Sequence, residues 1–167
     1  MVLYFLRHGD AVRHSSLHDS ERPLSDVGRI QAHAAGRFFA SNGMTVNILL
    51  TSPLIRARET GDVIGTYVSP SRREVTDLLI NGTNPRQLFG FLDNLDCASV
   101  LLVGHEPFIS DTLSLLISGS TAANLFIGTC SFAAVEIEPP VRAGRGMLKQ
   151  LTDAQTMMRD SSIKETP

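Results

Sequence analysis

Cysteine is scarce. Cys97 and Cys130 are the only two in 167 residues, too far apart for a metal or redox motif, and two isolated thiols point to a reducing compartment, so the cytoplasm is the expected location. Charge of one sign is lacking too: 15 basic against 17 acidic residues leave a formal net charge of -2. That balance gives no general grip on nucleic acid or on an anionic membrane, so any anion site has to be local. No apolar run reaches bilayer length. The apolar N-terminus meets Arg7 after six residues, too short also for a signal-peptide core. Internal repeats and low-complexity blocks are missing. What remains, 43% apolar and 19% charged, is the composition of an ordinary globular domain able to bury a core without staples.

The run Met1-Val2-Leu3-Tyr4-Phe5-Leu6 reads as a buried parallel strand that stops at Arg7-His8-Gly9. In open α/β sheets ligands sit beyond the carboxyl ends of strands. Arg7 offers a planar fork for phosphate, His8 a nucleophile, and Gly9 close backbone approach to an anion. A polar loop, 10–23, follows; it holds His14, His18, Asp19 and Arg22, and its length suits a functional loop. Ser25-Asp26 opens a helix to about Asn42-Gly43, with Val27, Ile30, Ala34 and Phe38 marking its expected buried face.

Residues 46–51 read as a second strand running into Ser52-Pro53, a cap followed by proline at the first helical position. Arg56 then sits near a helix start, where the dipole disfavours a cation. An anion shared by the helix start and Arg56 removes that conflict. Residues 73–79 read as a weaker strand that still includes Asp77, and Asn84-Pro85 caps a helix with Leu88, Phe91, Leu92 and Leu95 as its core stripe. Ser99 to Gly104 is another buried strand and delivers His105-Glu106-Pro107 to a third strand-to-helix junction. Ile109, Leu113, Leu116 and Ile117 line the next helix, which Gly119 ends. Residues 131–137 and 147–151 read as closing strands, antiparallel or at an edge. The expected fold is α/β, three-layer α/β/α around a mainly parallel sheet, with one domain over 1–153 and a polar tail, 154–167, frayed or disordered.

Arg7-His8-Gly9, Ser52-Pro53 with Arg56-Ala57 and Thr60, and Gly104-His105-Glu106-Pro107 together resemble the signature of the histidine phosphatase superfamily, the phosphoglycerate-mutase-like fold. Arg7-His8-Gly9-Asp10-Ala11 and Arg22-Pro23-Leu24-Ser25 look most like its SixA-type branch of protein-phosphohistidine phosphatases. The resemblance covers about 1–151. It implies that His8 attacks phosphorus to form a phosphohistidine that water hydrolyses, that Arg7, Arg56 and His105 face the phosphoryl oxygens, and that no cofactor or metal is required. Gly9 and Arg22 join the implied substrate-binding set, with Arg22 closing over the phosphate from a loop that otherwise leaves the site open.

Larger family members carry a carboxylic acid after the third strand to protonate an alkoxide leaving group. Residues 78–84 hold no carboxylate. A phosphohistidine needs that acid less, because imidazole takes a proton at its free nitrogen and leaves neutral. The expected substrate is therefore a phosphorylated protein such as a histidine-phosphotransfer domain; Asp10 and Glu106 are the candidate acids that an ester substrate would require. A small-molecule phosphomonoesterase or mutase is the nearest alternative; a metal module on His14, His18 and Asp19 and a non-catalytic phosphate binder are the others.

Overall fold

The computed structural model describes residues 1–13 and 16–163. Strands β1 (Val2–Arg7), β2 (Ile48–Thr51), β3 (Arg72–Val75) and β4 (Ser99–Gly104) run parallel, and β5 (Phe132–Glu136) and β6 (Met147–Thr152) return antiparallel beside β1. The sheet order is β3-β2-β4-β1-β5-β6. Helices α1 (Asp26–Ser41), α2 (Ile55–Val68) and α5 (Ala154–Ile163) cover one face, and α3 (Pro85–Leu92) and α4 (Phe108–Ser118) the other. β1 shows why its sequence is apolar without alternation: Leu3 and Phe5 enter the core shared with α3 and α4, while Tyr4 and Leu6 enter the core shared with α1 and α2.

Several local expectations change. On α1, Val27 and Ile30 are 57% and 58% exposed. Small residues bury instead, namely Gly28, Ala32, Ala35 and Gly36, with Phe38 and Phe39. The reason is close approach: a Cβ on Gly36 would lie 2.3 Å from the Tyr67 ring of α2, and one on Gly28 would lie 2.0 Å from the Asp10 carbonyl oxygen. Periodicity therefore places Ala34 and Phe38 correctly and misplaces Val27 and Ile30. The third strand ends at Val75, and Asp77 opens a 3-10 turn, Asp77–Leu79, as an exposed residue off the strand. Residues 154–163, read as a frayed or disordered tail, form α5, whose Ala154 and Met157 are buried against the α1–α2 side of the sheet. Residues 164–167 lie outside the described residues.

β1, β2 and β4 end level, with Arg7 beside Gly104 and Thr51 beside Val103. Their exits therefore release His8, Ser52 and His105 side by side at one edge.

Candidate active site

His8 lies at the centre of that edge and is 7% exposed. Its Nδ1 is 2.6 Å from the Gly9 carbonyl oxygen, and Arg56 Nε donates to its Nε2 at 3.2 Å. A carbonyl only accepts, so Nδ1 carries the proton and Nε2 presents a lone pair. Burial lowers the His8 pKa to about 4; the Gly9 carbonyl opposes this, and Arg56, Arg7 and Arg22 add to it. At neutral pH the ring is uncharged and nucleophilic.

The His105 ring lies 4.9 Å from that of His8, centroid to centroid. Its Nε2 is 2.8 Å from Ser52 Oγ, which also accepts the Leu54 N–H at 3.4 Å. The serine hydroxyl can donate to Nε2 or accept from it, and Nδ1 is buried with no protein partner. Burial lowers the His105 pKa to about 3, with His8 and Arg56 adding to the effect. Ser52 therefore does not cap α2. Leu54 stands at that N-cap without a side-chain bond, and α2 begins after Pro53, at Ile55.

Arg7 donates from Nη1 to the Ile127 carbonyl at 2.8 Å, and its Nε is buried without a partner. Buried unpaired N–H groups cost free energy unless something else accepts from them. Arg7 keeps one beside the neutral His8 ring, and His105 Nδ1 is buried there without a protein partner.

Arg56 is buried, and its anion is internal. Nη1 donates to the Asp19 carbonyl oxygen at 2.6 Å and Nη2 to Asp19 Oδ2 at 2.9 Å. The other carboxylate oxygen, Oδ1, lies 3.1 Å from Arg22 Nε. Hydrogen bonding to Arg56 holds the Asp19 carboxyl below the usual carboxylate range. Asp19 is thereby tied to the arginine that meets the His8 ring. Sequence alone missed this role of Asp19, for a polar residue in a polar loop carries no periodic signal.

Gly9 is placed differently from expectation. Its N–H is taken by Thr60 Oγ1 at 3.1 Å, and a Cβ there would lie 2.7 Å from the Gly28 carbonyl oxygen. The small residue serves packing on α1, and its carbonyl sets the His8 tautomer. Thr60 in turn donates to the Arg56 carbonyl at 2.6 Å and so ties α2 to the end of β1. Asp10 is committed to α1: Oδ2 accepts from Ser25 Oγ at 2.6 Å, and its N–H donates to Gln31. Glu106 is half-buried, caps the Ser110 N–H at 3.2 Å, and has its carboxyl raised by burial above the usual range. Two of the donors in the metal alternative have other partners. His18 Nδ1 meets Ser20 Oγ at 2.7 Å, Asp19 serves two arginines, and His14 lies outside the described residues. Among the described residues no cluster of three such side chains forms, and no helix is long and apolar enough to cross a membrane.

The family model of the histidine phosphatase superfamily (branch 1) matches residues 3–79. An uncharacterized protein of Picosynechococcus sp. is 26% identical over 169 residues, spanning 96% of both chains. The mitochondrial serine/threonine-protein phosphatase PGAM5 of Mus musculus is 37% identical over 81 residues, which are 46% of this chain and 28% of that protein. The solved structure of the protein histidine phosphatase SixA complexed with tungstate aligns with a TM-score of 0.84 at 25% identity, covering 94% of this chain and 99% of the other. With that match and that structural likeness, this chain belongs to the histidine phosphatase superfamily, in the SixA-like form of its fold.

Proposed function

We propose that this phosphatase removes the phosphoryl group from phosphohistidine in a protein, by way of a covalent phosphohistidine on His8. The observation that carries this reading is the fixed tautomer: Gly9 holds the Nδ1 proton, burial keeps the ring neutral, and Nε2 keeps an unprotonated lone pair for attack once it gives up the Arg56 Nε–H bond. The Nε2–P bond forms as the substrate P–N bond breaks, and the departing imidazole, protonated at its other nitrogen by solvent, leaves neutral. The Nδ1 proton stays on His8, so the intermediate is an imidazolium. Water then attacks phosphorus, the Nε2–P bond breaks, the lone pair returns to Nε2 and inorganic phosphate departs with the oxygen. Arg7, Arg22, Arg56 and His105 supply donors to the phosphoryl oxygens, and no step requires a metal.

The substrate class rests on the missing acid. Residues 78–84 contain no carboxylate, Asp77 is exposed in its 3-10 turn, and Asp10 is bound to Ser25. A phosphorylated protein, a histidine-phosphotransfer domain among them, met in the cytoplasm suits such a site. Glu106 favours a second reading, a phosphomonoesterase, because its raised pKa suits a proton donor. Comparing kcat/KM for a phosphohistidine peptide and an alkyl phosphomonoester decides between them. Faster turnover of the peptide, unchanged in Glu106→Gln, is expected; faster ester turnover that Glu106→Gln abolishes would establish the second reading instead.

A further inference from the structure

We propose that Asp19 is a positioning residue that aims the Arg56 fork at the phosphoryl group. The inference rests on the His8 reading above and assigns a role to a loop residue that takes no part in bond making. A guanidinium offers five N–H donors in one plane, arranged along its end and along its Nε side. Asp19 engages both terminal nitrogens, one through its backbone carbonyl and one through Oδ2. The Nε side is then the edge left for the reacting centre, and Nε does point at His8 Nε2. When Nε2 bonds to phosphorus it no longer accepts, and Nε–H, already aligned, passes to a phosphoryl oxygen. The second carboxylate oxygen forms an ion pair with Arg22, 3.1 Å from its Nε but without a hydrogen bond, so only Arg56 is oriented by Asp19.

The scaffold that presents Asp19 is local. It begins the 3-10 turn Asp19–Glu21, where the His18 ring caps the Ser20 N–H and Glu21 reaches back to the His18 N–H. The Asp19 side chain itself is 65% exposed, so its removal leaves the hydrophobic cores intact.

Charge and positioning predict opposite signs, and that makes the role testable. Deleting a carboxylate beside an anion site should tighten anion binding if charge alone matters. If Asp19 aims Arg56, Asp19→Ala should weaken inorganic tungstate binding by roughly fivefold, the scale of coupling between residues in one network. Asp19→Asn, which keeps an acceptor oxygen, should recover most of the loss. In an Arg56→Lys background, which keeps the charge but has no fork, Asp19→Ala should cost nothing. Calorimetric titration of the four variants and the unaltered chain with tungstate reads all of this. Unchanged or tighter binding in Asp19→Ala, or an equal loss in the lysine background, overturns the positioning role and leaves the His8 reading untouched. Failure of the unaltered chain to bind tungstate removes the oxyanion site and the inference together. The pattern in full, with no covalent phosphohistidine forming on His8 from a phosphohistidine peptide, would sink the catalytic reading alone.

Discussion

Acid should destabilise this fold from within, through His8 and His105. Both are buried neutral, with pKa values of about 4 and about 3 against an ordinary 6.5. In the unfolded chain each takes a proton near its ordinary value, so between that pH and the folded pKa the unfolded state binds more protons. Stability from this source is complete above about pH 6.5 and falls as pH drops toward the folded values. Each histidine contributes a slope of about 1.4 kcal/mol per pH unit, or roughly 3 kcal/mol per unit for the pair. Two units of acidification then remove about 5 kcal/mol, comparable to the whole stability of a marginal domain. Asp19, with its lowered carboxyl, adds its own loss only at lower pH. Urea unfolding followed from about pH 7.5 down to about pH 4.5 gives the slope directly. His105→Asn should halve it. An unaltered slope in that variant, or a flat profile in the unaltered chain, would refute the buried-neutral assignment.

Further outcomes follow from single contacts. Ser52→Ala strands His105 Nε2 and should cost about 1–2 kcal/mol in urea unfolding, with a fall in kcat larger than any rise in KM. Gly28→Ala drives a Cβ into the Asp10 carbonyl and should cost more than about 2 kcal/mol, whereas Ile30→Ser, on an exposed position, should stay within about 0.5 kcal/mol. Met157→Ala empties a buried position on α5 and should cost about 2–4 kcal/mol by the same measurement; no change would mean that α5 is not docked.

The central strands were legible because burial on both faces writes an uninterrupted apolar run, as in Leu3 to Leu6 and Val100 to Val103. Their shared exit followed from alternation of strand and helix, and with it the grouping of His8, Arg56 and His105. The packing face of α1 was legible at Ala34 and Phe38 but not beyond them, since Gly28 and Gly36 are buried by close approach while larger Val27 and Ile30 face outward. Ser52 looked like a helix cap because serine before proline usually is one; here its hydroxyl serves an imidazole from β4's exit, a contact 53 residues away in sequence. Asp19 had no local signature at all. The conflict of Arg56 with the start of α2 was the visible trace of it, since the anion demanded there is supplied by the loop itself.

The nucleophile is tested most directly by capturing it. The chain is mixed with a radiolabelled phosphohistidine peptide, quenched within one turnover and digested to locate the label. Acid-labile, base-stable label on the peptide containing His8, absent from His8→Ala, is the predicted result. Turnover that persists in His8→Ala, or label on any other residue, would contradict the account.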